Sequence, residues 1–395
     1  MEKYNPDSVN NHSFDYQART RIVFGDKTLE ELGGIVKDLN GSKAILVTDP
    51  GLLKTGHPDK AKLLLAESGI KAEIFSDVVE NPTAECVKKC AHHAKSFDAD
   101  VLIGLGGGSA MDTAKGANFL VTNGGEIADF WGFGKATKPM LPMIAIPTTA
   151  GTGSECQSFA LISADDTHMK MACGDFKAAP KVALLDPELT LTLPASVTAH
   201  TGIDAIAHAV EAAVCKLRNP FSTMYAQRAF ELTINSLPLV LKNPDNLEAR
   251  GKMLLGAAFA GMAIENSMLG AAHSLANPLT AHFNLIHGIA VGVMLPRVVE
   301  FNSQETHSRK IYSELVNIAA LKGRNDDEFK SVSILTSTLN QLLHEANIST
   351  KLSDHGVSDS MISRMASDAS KQWTKSFNPR DISELQFANL YQSAF

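Results

Sequence analysis

The sequence predicts an α/β half built on a parallel, Rossmann-like sheet, followed by an all-α half. Two observations carry this. Up to about residue 190, short continuous apolar runs alternate with segments of helical period, as in a doubly wound parallel sheet. Beyond Leu193-Pro194 every strong pattern has a helical period. The expected division is an α/β domain over residues 1–190 and a helical domain over residues 191–395.

In chain order, residues 1 to about 18 are polar and patternless and read as an extended arm. Arg21–Gly25 alternates as a strand, Leu29–Leu39 is helical, and Ala44–Thr48 is a buried strand closed by Asp49-Pro50-Gly51. Pro58–Ser68 follows as a helix, with proline suited to a first helical position. Ala72–Phe75 is a short strand, Ala84–Lys95 a helix, and Asp100–Leu105 a continuous apolar strand that runs into Gly106-Gly107-Gly108-Ser109 and a helix from about Ala110. Met143–Ile146 is a buried strand leading to a loop, Thr148–Glu155, dense in hydroxyls and glycine. Lys181–Leu185 is the last strand before Asp186-Pro187. In the second half, Ile311, Leu315 and Ile318 mark one core stripe, and Leu335, Leu339, Leu342 and Leu343 another. Arg324–Glu328 reads as a short charged loop.

With 395 residues, 44% of them hydrophobic, the chain can build sizeable cores. A net charge of -7 leaves no basic face for a phosphate backbone, so nucleic acid is not an expected partner. Met1–Pro6 lacks the apolar core of a secretory signal. The longest apolar run, Met253–Ile264, is shorter than the ~20 residues a bilayer span needs. No membrane partner and a cytoplasmic location are therefore expected. Five scattered cysteines, without an export signal, read as reduced thiols. Cys86, Cys90 and His93 could share a helical face and bind zinc, but Glu85–Lys95 reads better as a solvated amphipathic helix between two strands.

Chemistry concentrates at a few places. Strand, glycine turn and helix at Gly104-x-Gly106-x-x-Ser109 is the order in which backbone N–H groups and a helix N-terminus hold phosphate oxygens. Its Ser in the last place and its position on a late strand depart from the dinucleotide fingerprint, and a plain tight turn fits it too. Asp49 closes an earlier strand, where a carboxylate can accept from a ribose hydroxyl and repel a 2'-phosphate, favouring NAD over NADP; it also suits a simple Asp-Pro-Gly turn. Thr201–Glu211 is an Ala-rich, Pro-free helix that puts Asp204 and His208 one turn apart on one face. The segment His273–Gly288 supplies further imidazoles in an apolar background. Together Asp204, His208, His273 and His287 read as one divalent-metal site, although a lone Asp/His pair at this spacing is more often a core feature.

The run Gly106–Lys115, the Pro147–Glu155 loop, Asp186–Thr190, the Thr201–Glu211 helix and the His273–His287 segment, in this order and spacing, resemble the iron-containing (group III) alcohol dehydrogenases. The resemblance covers about residue 20 to the C-terminus. It implies an active site in the cleft between a nucleotide-binding domain and a helical domain, and an enzyme that interconverts small alcohols and aldehydes or ketones with NAD. It implies Asp204, His208, His273 and His287 as ligands of Fe(II), with Zn(II) as the rival. It implies Gly106, Gly107, Gly108 and Ser109 as the diphosphate loop with Asp112 beside them, and Asp49 as the ribose carboxylate. Asn81, Thr148, Thr149, Thr152, Phe159, Lys170 and Leu189 fall on cofactor-contact positions. Many members carry a further His four residues after the third ligand; here that place is Asn277, whose carboxamide does not titrate. Proton relay through His282, a ribose hydroxyl or water then comes into question, and Phe159, Met262, Asn266, Asn277 and His282 are candidate pocket residues. His200, one turn before Asp204, has no ligand role in the family pattern. A homo-oligomer is expected. Two other readings keep the same motifs: a zinc enzyme of the same fold resembling dehydroquinate synthase or glycerol dehydrogenase, and a non-catalytic nucleotide- and metal-binding protein.

Overall fold

Six parallel strands form the larger sheet of the computed structural model, which describes residues 13–165, 170–321 and 327–395. The first part of the expected N-terminal arm and most of the charged loop at Arg324–Glu328 lie outside these residues. The α/β half runs β1 (Arg21–Phe24), α1 (Leu32–Asp38), β2 (Lys43–Val47), α2 (Pro50–Leu53), α3 (His57–Glu67), β3 (Lys71–Phe75), α4 (Ala84–Phe97), β4 (Val101–Gly106) and α5 (Gly108–Asn123). It continues through β5 (Gly132–Phe133), β6 (Met143–Pro147), β7 (Phe159–Ser163), β8 (Lys170–Gly174) and β9 (Val182–Leu185).

The sheet order is β1-β9-β6-β4-β2-β3. From β2 the chain moves outward to β3, then returns past β2 to lay down β4, so the order reverses between β2 and β4. Pleating sends alternate residues to opposite cores: Ile45 and Val47 of β2 pack with α4 and α5, whereas Ala44 and Leu46 pack with α1 and α3. Helices thus cover both faces, which is why these strands are near-continuous apolar runs. Registers of Val47 with Gly104 and of Gly106 with Pro147 bring the carboxyl ends of β2, β4 and β6 side by side. A crevice at such a reversal is where open α/β sheets bind ligands.

A second, three-stranded sheet, β5-β8-β7, pairs β7 and β8 antiparallel. The pattern reading did not anticipate it. Its strands are short and partly exposed, so neither a long apolar run nor a clean alternation marks them.

The helical half contains α6 (Ala195–Val214), α7 (Pro220–Lys242), α8 (Leu247–Glu265), α9 (Ala271–Phe283), α10 (His287–Asn302), α11 (Thr306–Ile318), α12 (Glu328–Glu345), α13 (Ile362–Ser370) and α14 (Glu384–Gln392). Helix α6 follows Pro194, is rich in alanine, and is buried on every side over Gly202–Val214, so small side chains let α7, α8 and α10 close around it. Asn219 caps α7 by accepting from Phe221 N and Ser222 N, with Pro220 at the first helical position. Leu335, Leu339, Leu342 and Leu343 are buried as their spacing predicts, but Ile318 lies 40% exposed at the end of α11, so that stripe stops at Leu315.

The two halves meet through the loop after β6. Gly153, at φ +64°, lies against Gly261 of α8 so closely that a Cβ on Gly261 would stand 2.2 Å from the Gly153 carbonyl oxygen. Gly151 likewise presses on Thr201, one turn before Asp204. The hydroxyl-rich loop is therefore clamped between the sheet and the helices that carry the charged site.

Candidate active site

Asp204 and His208 sit one turn apart on α6, His273 in the first turn of α9, and His287 at the start of α10. Their convergence needs α10 to begin hard against α6: a Cβ on Gly288 would fall 2.1 Å from the His200 carbonyl oxygen. Asp204 Oδ1 is 3.5 Å from His208 Nε2, 3.5 Å from His273 Nε2 and 3.9 Å from His287 Nε2. Four ligands placed tetrahedrally at 2.0–2.2 Å from one ion would stand about 3.4 Å apart. Among the described residues Asp204 Oδ1 and His273 Nε2 are buried without a hydrogen-bond partner, an arrangement that is costly unless a cation sits between them.

Electrostatics fit a cation site. Burial pushes the Asp204 carboxyl up, but the three imidazoles more than reverse this and hold it well below its usual range. His287 is pushed down to about 3 by burial, with Lys170 adding to the effect, and His208 is lowered by burial. Burial opposes charge on His273 as well, yet Glu211 and Asp204 overcome it and raise the ring to about 9. His200, lowered by burial, packs nearby at the α6–α10 crossing.

On the sheet side, Gly106, Gly107 and Gly108 lead into α5, whose N-cap, Gly107, supplies no side-chain hydrogen bond. The first N–H groups of a 16-residue helix are thus free of a side-chain cap, beside Ser109. The Thr149 side chain lies against Gly107, that of Thr152 against Gly108, and Thr148 N donates to the Gly106 carbonyl at 3.0 Å. Asp49 caps α2, its Oδ1 accepting from Gly51 N and Leu52 N, while its Oδ2 faces Gly106 across the β2–β4 crevice. Asn81, at φ +51°, precedes Pro82, whose carbonyl accepts from Ser163 N at the end of β7. Phe159 opens β7, its ring 5.6 Å from Phe133 and 6.1 Å from Trp373. Lys170 opens β8; burial lowers it against the pull of Asp112 and Asp204, which places its charge beside the metal-type cluster.

Three residues take other positions. Asp112 faces inward: Oδ1 accepts from Ser154 Oγ at 2.7 Å and Oδ2 from Leu161 N at 3.1 Å, so both oxygens are engaged inside the protein. Leu189 lies in the apolar core with Leu29 and Leu32. His282 is not brought to the cluster. Nine residues past His273, or about 13 Å along the helix axis, it contacts Asp368 Oδ2 at 2.9 Å on the surface. Of the pocket candidates, Asn277 pairs with Gln372 at 2.9 Å, one turn beyond His273, whereas Met262 packs on the helical core and Asn266 is tied to Asn219. Cys86 and Cys90 are buried, and His93 contacts Glu73, so among the described residues the trio forms no metal-type cluster.

Pattern reading missed two groups. Glu211 holds His273 Nδ1 and the Ala272 N–H; its signal was the spacing Asp204, His208, Glu211, one further turn on the same face. Lys115, fully buried, donates to Ser154 O, Ser154 Oγ and Phe159 O, tying the hydroxyl loop to α5.

Comparison with known proteins agrees with this geometry. A family model described as iron-containing alcohol dehydrogenase matches residues 19–187, and one described as Fe-containing alcohol dehydrogenase family, C-terminal, matches residues 198–395. Alcohol dehydrogenase 4 of Schizosaccharomyces pombe is 36% identical over 94% of this chain and 87% of its own. A solved 1,3-propanediol oxidoreductase superposes with a TM-score of 0.93 at 31% identity, covering 97% of this chain and 100% of its own. Sulfoacetaldehyde reductase from Bifidobacterium kashiwanohense, solved in complex with NAD+, gives 0.87 at 26% identity over 97% of this chain and 99% of its own. With both models matched and the relatives spanned nearly end to end, the chain belongs to the iron-containing alcohol dehydrogenase family.

Proposed function

We propose that the protein interconverts small alcohols and their aldehydes or ketones by hydride transfer to and from NAD, with a divalent metal held by Asp204, His208, His273 and His287. The reading is carried by Asp204, His208 and His273, whose ligand atoms lie within 4.8 Å of one another, by His287 Nε2 at 3.9 Å from Asp204 Oδ1, and by Asp204 Oδ1 and His273 Nε2, buried and unpartnered among the described residues. The donor set suits Fe(II), the metal of the family's name, and also Zn(II). Such an ion, when bound, lowers the pKa of an alcohol hydroxyl and polarises a carbonyl.

The remaining chemistry falls to the chain. One carboxylate against a divalent charge leaves the centre net +1, favouring an alkoxide over an alcohol. Gly106, Gly107, Gly108 and Ser109 at the uncapped α5 N-terminus suit a diphosphate, with Thr148, Thr149 and Thr152 behind them. Asp49, across the β2–β4 crevice, would accept from ribose hydroxyls and disfavour NADP. Asn81, Phe159 and Lys170 would complete the cofactor wall. Neither Asn277 nor Gln372 titrates, so that face binds and orients instead of moving a proton. We place the domain division near residue 190, between the sheet and α6, and assign the enzyme to the cytoplasm as a homo-oligomer.

The test is an assay of small alcohols and aldehydes with NAD(H), comparing Fe(II)- and Zn(II)-loaded protein under anaerobic conditions. Net NADH formation from an alcohol is expected. Turnover without net change in NADH would overturn the dehydrogenase reading.

A further inference from the structure

Helix α9 begins without a cap of its own. Its N-cap is Gly270, which offers no side chain, yet the first N–H groups are satisfied from outside: Ala271 N donates to Asn378 Oδ1 at 3.2 Å and Ala272 N to Glu211 Oε1 at 2.7 Å. A Cβ on Gly270 would stand 3.2 Å from Glu211 Oε1 and 3.0 Å from Asn378 Oδ1, so glycine is what lets both acceptors close on the helix end. Glu211 is 4% exposed. Its other oxygen, Oε2, meets His273 Nδ1.

We propose that Glu211 is the positioning residue of the metal centre: one buried carboxylate caps α9 and fixes His273 in the tautomer whose Nε2 lone pair faces Asp204. An ionised carboxylate only accepts, so both of its contacts must be donors. Nδ1 therefore keeps its proton, and Nε2, 3.5 Å from Asp204 Oδ1, is the nitrogen that would give up its proton when a metal binds. Among the described residues His208 Nδ1 and His287 Nδ1 have no hydrogen-bond partner, so of the three imidazoles His273 is the one whose Nδ1 meets a carboxylate. Outer partners of this kind orient a ligand and raise its basicity. Glu211 also brings negative charge to the positive end of α9, so ring and helix are fixed together. The proposal rests on the metal centre argued above.

Glu211→Gln is nearly isosteric but has one accepting oxygen for two donors. Either its amide donates to His273 Nδ1, which moves the ring proton to Nε2, or it faces the Ala272 N–H with a second donor. Metal-free full-length protein titrated with Co²⁺ reads the consequence. E211Q should bind Co²⁺ about 10- to 100-fold more weakly than wild type, with an altered visible spectrum and unchanged NADH affinity. Asn378→Ala, which removes the Ala271 cap together with the Asn378 bonds to Asn302 and the Arg380 carbonyl but leaves Glu211 and His273 in place, should lower the melting temperature of the metal-free protein while leaving Co²⁺ affinity intact. Co²⁺ binding by E211Q at wild-type strength would overturn the proposal, as would an equal loss of affinity in N378A, since helix capping alone would then explain the effect. If wild type itself bound no stoichiometric Co²⁺, the metal reading would fail first. A measurement on wild type needs no variant to fold: Zn²⁺-loaded protein with labelled histidine should show one slowly exchanging ring N–H at Nδ1, and its absence would equally overturn the assignment.

Discussion

Gly108→Ala tests how tightly the diphosphate loop is built. The added Cβ would stand 2.8 Å from Thr152 Cγ2, 2.9 Å from Thr152 Oγ1 and 3.2 Å from Thr152 Cβ, well inside the ~3.5–4.0 Å of ordinary carbon contacts. Overpacking of this kind costs about 1–3 kcal/mol. Against it, replacing glycine by alanine in a helix gains up to ~1 kcal/mol, less at the first position of α5, where Gly108 sits. The clash wins, and a net loss of about 1–2 kcal/mol is expected. Removing Thr152 Cγ2 and Oγ1 relieves most of the contact, so in a Thr152→Ala background the same change should be neutral or slightly stabilising. The double-mutant cycle, run on urea midpoints at constant m, should give a coupling of about 1–2 kcal/mol. NADH affinity of G108A should fall roughly 5- to 30-fold as the loop shifts. Additive effects, with no coupling to Thr152, would refute the close-approach argument.

Other expectations are equally concrete. His273→Ala should lose bound metal and turnover while keeping NADH affinity, read by metal analysis and nucleotide fluorescence; loss of both together would contradict separate sites. Asp49→Ser should relax the preference for NAD while keeping the cap on α2, whereas Asp49→Gly gives up the side-chain cap as well; an unchanged NAD/NADP ratio in both would remove Asp49 from the ribose site. Glu155 is buried, and burial pushes its carboxyl up to about 7. The folded state thus holds that proton more tightly than the unfolded chain, so its stabilisation is fully present below pH ~4.5 and fades as pH rises through about 7. The loss is on the order of 3 kcal/mol, and Glu155→Gln should flatten this part of the stability profile. An identical profile in the variant would assign the pH dependence elsewhere.

Local pattern was enough to reveal the sheet strands with apolar runs and the stripe Leu335–Leu343, because both faces of that sheet and one face of that helix are buried. It was not enough for β5, β7 and β8, short and half-exposed strands that carry no long apolar run, although β7 and β8 are near neighbours in sequence. Within the site, Asp204 and His208 were legible from helical spacing. Joining them to His273 and His287 required knowing that α9 and α10 cross α6 there, which the family resemblance supplied and the 3.5–3.9 Å separations now describe. Glu211 lay on the same helical face but reads as an ordinary charge until α9 is docked on it. His282 shows the opposite error. Chemistry-bearing and close in sequence to two candidate ligands, it is carried past the cluster by the rise of α9 and turned to Asp368.

The most direct test is anomalous diffraction at the metal edge from crystals grown with Fe(II) or Zn(II) and NADH. The expected map has one peak per chain, about 2.0–2.2 Å from Asp204 oxygen and from one nitrogen each of His208, His273 and His287, with the nicotinamide across the cleft. A peak elsewhere, or none in crystals that contain bound NADH, would contradict a metal-dependent hydride-transfer site at this centre.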